Sequence, residues 1–406
     1  MRFFNALAIL AGTVAASTGI SQEPLLKQSQ DDRNVSTALF AELEEFSRIV
    51  DITYCVGLTS IGISKPFNCL SRCSDFPAFE LVKSWNTGPL LSDSCGYIAL
   101  DHGKGRVIVA FRGTYSVANT VVDLSTVPQK YVPYPGEDGD VEEVGTDSLG
   151  GVGGPLERRA ATEDVRESKC EDCTVHMGFY RAWHITRSEI LQVLQEQLYF
   201  YPDYKLHLVG HSLGGAVAAL AALDLHARGW SPTVTTFGEP RIGNTKLADY
   251  LDASFKLTGT DDLEKLQYRR VTHVDDPVPL LPLTEWGYAM HAGEIFISKP
   301  DLSPDVQDLE HCEGDTDKRC IAGQDSSVGH RPDTTEQRNK DLLVTVQEEI
   351  YDVKNEPWGI PSRYKLWQLF FAHRDYFWRL GLCLPGGGPL GGRGKYGEQG
   401  QPKAEL

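Results

Sequence analysis

The chain has 406 residues, with 39 Lys and Arg against 56 Asp and Glu, which gives a formal charge of −17. Apolar residues make up 41% and charged residues 23%, ordinary globular chemistry that excludes a disordered chain, a collagen and a polytopic membrane protein. So acidic a chain also argues against nucleic acid as its main partner, because phosphate binding needs a basic surface.

At the N-terminus, Arg2 precedes a short apolar run, and small residues follow from Val14 to Ser17. This layout predicts a secretory signal peptide over about residues 1–17. The run is shorter than the ~20 apolar residues a spanning helix needs, and no other stretch is long and apolar enough, so no integral membrane span is expected. Asn34-Val35-Ser36 is a glycosylation sequon just ahead of the first helix. Leu39, Leu43, Phe46 and Val50 then recur at helical spacing. Val107 to Phe111 reads as a buried strand. Val117, Val121 and Leu124 share one helical stripe. Residues 127–169 are rich in Gly, Pro and acidic side chains, the composition of a loop insertion.

A second helix carries Trp183, Leu191, Leu194 and Leu198. Lys205 to Val209 reads as a strand, followed by Gly210-His211-Ser212-Leu213-Gly214-Gly215 and by a small-residue apolar helix from Ala216 to Leu223 that Gly229 can stop. Val234 to Phe237 and Tyr268 to His273 are further strands. Strands alternating with helices predict an α/β sheet with covered faces. Residues 321–360 form a second polar insertion, and residues 384–406 a Gly-rich tail expected to be disordered. The reading is one domain over residues 35–383.

Nine cysteines fit an exported chain. The close pairs Cys69/Cys73, Cys170/Cys173 and Cys312/Cys320 read as local disulfides, Cys55 with Cys383 as a long one, and Cys95 as an unbridged buried thiol. Structural zinc is the rival for close pairs, but it gathers four ligands in one small module, and these pairs lie far apart. Spacing alone does not fix the connectivity.

Gly210-His211-Ser212-Leu213-Gly214 has the pattern of a nucleophile elbow. Ser212 would stand on a tight strand-to-helix turn, with Gly on either side because a side chain there would strike the neighbouring strand or helix. The apolar strand before it and the apolar helix after it are the context the pattern demands.

These residues, together with Phe237-Gly238-Glu239-Pro240-Arg241-Ile242-Gly243-Asn244, Val175-His176-Met177-Gly178-Phe179 and Phe111-Arg112-Gly113-Thr114, resemble the filamentous-fungal secreted triacylglycerol lipase family, which includes fungal feruloyl esterases. The resemblance runs from about Leu39 to Cys383 and breaks at the two insertions. It implies an α/β-hydrolase-type fold, in which a central, mostly parallel sheet is flanked by helices and a lid helix is added. It also implies ester hydrolysis by a Ser-Asp-His triad and the same cysteine pattern of one long terminal bridge and short local ones.

Chain order in such hydrolases is Ser, Asp, His. Asp276-Pro277-Val278-Pro279 matches the family's Asp-x-Val-Pro, so Asp276 is the expected acid and Asp275 the runner-up. His373 lies just ahead of an aromatic pair and the last Cys, as the family's base does. The rivals are His291, which matches a structural stretch, and His311 and His330 in polar loops. The long stretch from Cys320 to His373 must fold out and still return the base to Ser212. Oxyanion donors are expected at Leu213, the residue after the nucleophile, and at Thr114 in the loop after the Val107–Phe111 strand. In the lipases the chain resembles, the segment carrying Val117, Val121 and Leu124 is a lid that swings away at an oil surface. Thr120 stands after Asn119 where those lipases often have Trp, which brings feruloyl esterase closer; Gly214-Gly215 favours lipase.

The expected function is a secreted carboxylic ester hydrolase acting on triacylglycerols at an oil–water interface, with no metal or organic cofactor. Feruloyl esterase and phospholipase A1 are alternatives on the same scaffold. A secreted lipid-binding protein without turnover is the alternative of another class. Acyl-chain preference and oligomeric state carry no signal in the sequence.

Overall fold

Ten strands and four α-helices are described in a computed structural model covering residues 33–57, 62–88, 94–114, 128–134, 170–259, 262–325 and 371–384. The expected signal peptide, the lid positions Val117, Val121 and Leu124, His330, and most of both insertions and of the tail lie outside the described residues. The chain divides into a unit Met1–Arg33, of which only Arg33 is described, and a unit Asn34–Leu406, which holds everything below.

The strands are β1 (Phe79–Asn86), β2 (Cys95–Asp101), β3 (Arg106–Phe111), β4 (Pro128–Lys130), β5 (Thr174–His176), β6 (Lys205–His211), β7 (Thr233–Phe237), β8 (Tyr268–His273), β9 (Glu294–Ile297) and β10 (Leu309–His311). Eight form one sheet in the order β1-β2-β3-β6-β7-β8-β9-β10. From β3 to β9 every pairing is parallel, and antiparallel strands finish both edges. The helices are α1 (Thr37–Ile52), α2 (Met177–Phe200), α3 (Leu213–Ala227) and α4 (Thr245–Phe255). Among the described residues no helix is long and apolar enough to cross a membrane.

Alternation along the strands sorts side chains to two faces. Val107, Val109 and Phe111 of β3 pack with α2 and α3, whereas Ile108 and Ala110 pack with α1 and the C-terminal segment around Tyr376, Phe377 and Leu380. Burial on both faces explains why these strands read as continuous apolar runs. Helix α3 is buried along nearly its whole length. Its five buried alanines let it lie close to the sheet beneath α2, and Trp183 of α2 donates its indole N–H to Asp224 of α3 at 2.9 Å.

Helix ends follow local chemistry. Ser36 caps α1 by accepting the Leu39 N–H, and its own hydroxyl donates to Glu264 at 2.7 Å. Asn244 caps α4 the same way through Leu247, a helix the sequence reading did not foresee. The sequence reading also lacks the edge strands β1 and β10 and their inner neighbours β2 and β9. The first insertion was expected to begin near 127, but residues 128–130 form β4, which pairs with β5. The second was expected from 321, but residues 321–325 are an ordered turn whose Asp325 pairs with buried Arg241.

Disulfides join Cys55 to Cys383, Cys69 to Cys73, Cys170 to Cys173 and Cys312 to Cys320. Cys95 is buried and not disulfide-bonded. The Cys55–Cys383 bridge spans 328 residues and fastens the segment carrying His373 to the turn that ends α1. Phe40 of α1 stacks edge-on against Phe377 of that segment at 5.1 Å.

Candidate active site

Parallel register brings the strand ends level. Phe111 of β3 lies opposite Gly210 of β6, His211 opposite Phe237 of β7, and Phe237 opposite Val271 of β8. The loops that leave these ends carry Gly113 and Thr114, Ser212, Gly238, and Asp276. Four separated motifs are thereby gathered at the C-terminal edge of the sheet, where such folds place their ligand sites.

Ser212 is the sharp point of the turn between β6 and α3, with φ 59° and ψ −131°. A non-glycine residue there costs about 1–3 kcal/mol and persists only where the surroundings enforce it. They do so here. A Cβ on Gly210 would collide with the Gly214 carbonyl, and one on Gly214 with the Phe111 carbonyl. The Ser212 N–H donates to the Phe237 carbonyl at 2.9 Å, which ties the turn to β7. No side chain caps α3. Its first N–H groups, Leu213 among them, therefore point toward Ser212 with the positive end of the helix dipole.

The expected acid and base meet in the interior. His373 Nδ1 lies 3.0 Å from both carboxylate oxygens of Asp276. A carboxylate only accepts, so Nδ1 carries the hydrogen. Asp276 also accepts the Tyr376 hydroxyl at 2.6 Å and the Val278 N–H at 2.9 Å. Burial alone would raise the Asp276 carboxyl. The attraction of His373 and the hydrogen bonds from His373, Tyr376 and Val278 outweigh it and hold the group below the ordinary carboxylate range. His373 Nε2 is buried and has no hydrogen-bond partner among the described residues. It is therefore not hydrogen-bonded to Ser212 here, although the His373 ring stacks on that of His211, next to Ser212, with centroids 4.8 Å apart. Catalytic hydrogen bonds are often loose before substrate binds.

The rivals are occupied elsewhere. Asp275 sits in a left-handed turn, half-buried, with its N–H on the Gln324 side chain. His291 lies 3.1 Å from the buried Glu239 carboxylate, which also accepts from Thr236 and Tyr268. His311, the last residue of edge strand β10, meets Glu264 at 3.1 Å.

The loop after β3 is braced for its position. Arg112 donates to the Val56 carbonyl at 2.9 Å, and its backbone N–H to the Cys95 carbonyl at 2.8 Å. Gly113 lies so close that an added Cβ would come within 2.8 Å of Ser212 Cβ. Thr114 follows, half-buried.

Tyr376 and Gly238 were not read from the sequence as site residues. Tyr376 lies three positions after His373 in an aromatic run whose spacing hinted only at packing. Gly238, at φ +59°, has no local signal. A Cβ there would stand 2.7 Å from the Tyr376 hydroxyl, 2.9 Å from His373 Cε1 and 3.0 Å from Asp276 Oδ2.

Comparison with known proteins adds three findings. The class 3 lipase family profile matches residues 108–286. The chain is 51% identical over 390 residues to the secreted mono- and diacylglycerol lipase 2 of Gibberella zeae, covering 92% of this chain and 89% of that protein, and 49% identical to lipase A of Sodiomyces alcalophilus, covering 96% and 92%. The crystal structure of the Lip2 lipase of Yarrowia lipolytica superposes with a TM-score of 0.62 at 26% identity, covering 86% of this chain and 97% of that one.

Proposed function

The chain belongs to the class 3 lipase family, and from that premise we propose that it is a secreted acylglycerol hydrolase in which Ser212, His373 and Asp276 act through an acyl-enzyme. The observation that carries the assignment is the buried His373–Asp276 pair, with Nδ1 held at 3.0 Å, Nε2 left without a partner among the described residues, and the ring stacked on that of His211, the neighbour of Ser212. An imidazole tethered in one tautomer, with a free lone pair next to a strained serine, is the apparatus of a general base.

The chemistry follows. Ser212 Oγ bonds to the ester carbonyl carbon while its proton passes to His373 Nε2. Negative charge collects on the carbonyl oxygen, and the N–H groups of Leu213 and Thr114 are the proposed donors to it. Asp276 holds the ring and balances the imidazolium charge. The C–O bond to the alcohol then breaks, and the Nε2 proton leaves with that alcohol. Water repeats the cycle on the acyl-enzyme: its proton goes to Nε2, its oxygen to the acyl carbon, and Ser212 regains its proton as the fatty acid departs.

The substrate is an acylglycerol. The Gibberella relative is named for mono- and diacylglycerols, and this favours partial glycerides over the triacylglycerols expected from sequence motifs. Initial rates on monoolein, diolein, triolein and methyl ferulate rank the candidates. The hydrolase domain is proposed to span residues 35–383, with residues 1–17 removed on export. The segment of Val117, Val121 and Leu124 is proposed as a lid for an oil–water interface, and a jump in rate above the solubility limit of tributyrin tests it.

The central test is Ser212→Ala on p-nitrophenyl butyrate. Loss of about 10⁶ in kcat is expected for a nucleophile, and an organophosphonate should label Ser212 in the wild type. Equal rates, or a label on another residue, would overturn the mechanism.

A further inference from the structure

Two buried residues that the reaction above does not use lie directly behind it. Tyr54 is in the turn after α1, beside the Cys55 disulfide, and its hydroxyl is 2.6 Å from His211 Nδ1. His211 is the last residue of β6 and precedes Ser212. Its Nε2 lies 2.9 Å from the backbone carbonyl oxygen of His373.

The direction of this chain follows from what each atom can do. A carbonyl only accepts, so His211 Nε2 carries a hydrogen. Burial, aided by the neighbouring His373, holds the His211 ring neutral with a pKa of about 3. Nδ1 is therefore a bare lone pair, and the Tyr54 hydroxyl donates to it. The Tyr54 hydroxyl also packs against Gly113, the residue before Thr114. Gly113 fits only because it lacks a side chain: a Cβ would strike the Tyr54 hydroxyl and the His211 carbonyl as well as Ser212. One directed path thus runs from the Tyr54 hydroxyl, packed on Gly113, through the His211 ring to the His373 carbonyl. It joins the oxyanion loop, the nucleophile strand and the returning C-terminal segment, which are far apart in sequence.

We propose that Tyr54 and His211 are positioning residues whose relay locks the Gly113–Thr114 donor loop and the His373 backbone into one frame around Ser212. The proposal rests on the reading of His373 as base. The relay touches no substrate. It acts by holding base and oxyanion donors at a fixed separation, and a misplacement of about 1 Å in such a site costs about 100-fold in rate.

Tyr54→Phe is the sharpest test, since it keeps the ring, which lies edge-on to His211 at 5.9 Å, and removes only the hydroxyl. On p-nitrophenyl butyrate its kcat should fall about 10- to 100-fold with KM within about twofold. Its rate of inactivation by diethyl p-nitrophenyl phosphate should fall in step, because phosphorylation of Ser212 needs the same base and donors. His211→Gln can keep an N–H for the His373 carbonyl and should retain more activity than His211→Leu. The double variant Tyr54→Phe/His211→Gln should be no slower than His211→Gln alone. A folded Tyr54→Phe enzyme with wild-type kcat and inactivation rate, or a loss confined to KM or to melting temperature, would overturn the relay. His373→Ala separates the two readings: an active His373→Ala enzyme removes the base assignment itself, whereas a dead one beside a fully active Tyr54→Phe removes only the relay.

Discussion

Gly238→Ala puts one methyl group where the proposed triad is most crowded. The new carbon would stand 2.7 Å from the Tyr376 hydroxyl, 2.9 Å from His373 Cε1 and 3.0 Å from Asp276 Oδ2, all inside ordinary contact, which begins at about 3.4 Å. Relief requires shifts of roughly half an ångström in groups that are themselves buried and mutually hydrogen-bonded. If 1 Å of misplacement costs about 100-fold, half of that costs about 10-fold, and the rigid surroundings push the expected loss in kcat to between 10- and 100-fold. The substitution also strains the backbone, because φ is +59°; that contributes about 1–2 kcal/mol of destabilisation. Gly229→Ala is the matched control. Gly229 has φ +87° at the end of α3, but nothing lies within 4 Å of its added Cβ. Both variants should lose a few degrees in melting temperature, while only Gly238→Ala should lose kcat on p-nitrophenyl butyrate. A Gly238→Ala enzyme that melts lower yet turns over at the wild-type rate would refute the argument that the working site has this crowded geometry.

Asp276→Asn should cut kcat about 10³- to 10⁴-fold with little change in KM, because an amide cannot hold the His373 Nδ1–H tautomer or balance an imidazolium; single-turnover kinetics check it. Thr114→Val should lower kcat by up to about 100-fold if its hydroxyl assists the oxyanion and leave it unchanged if only its backbone N–H does. Asp51, buried in α1, accepts the Gly381 N–H at 2.9 Å and the Ser71 hydroxyl at 3.0 Å, with Arg72 at 3.8 Å, and burial raises its pKa to about 7 despite those partners. The folded chain then binds a proton at Asp51 that the unfolded chain releases near pH 4. This contribution to stability falls as pH rises from about 4 to 7, by up to about 1.4 kcal/mol per pH unit. Urea melts of Asp51→Asn against wild type should diverge across that window in favour of the variant and run parallel above it; curves parallel throughout would refute the assignment.

What could be read in advance was what is written locally. The β6–elbow–α3 unit is contiguous, and each of its demands, an apolar strand, flanking glycines and a small-residue helix, falls within about twenty residues. Strand β3 is buried on both faces and stands out as an apolar run, whereas β7 and β8, equally buried, mix Thr, Arg and His with their apolar residues. Strands β1 and β10 were missed because an edge strand keeps a solvated side and mixes polar residues in, and α4 because its apolar stripe of Leu247, Leu251 and Phe255 is narrow. In the site, Ser212 announces itself through the glycines it requires. Asp276 and His373 are found by matching motifs, and a separation of 97 positions hides their contact. Tyr54, His211 and Tyr376 act only through partners that tertiary structure supplies, so no spacing rule could single them out.

The imidazole that completes the site is among the last described parts of the chain, and it is fastened through Cys383 to a turn laid down hundreds of residues earlier. Nucleophile, carboxylate and donor loop are all synthesised long before it. A chain still in synthesis therefore carries the proposed nucleophile without its proposed base. The proposed site is thus complete only once the far end of the chain has docked, an arrangement that the bridge then secures.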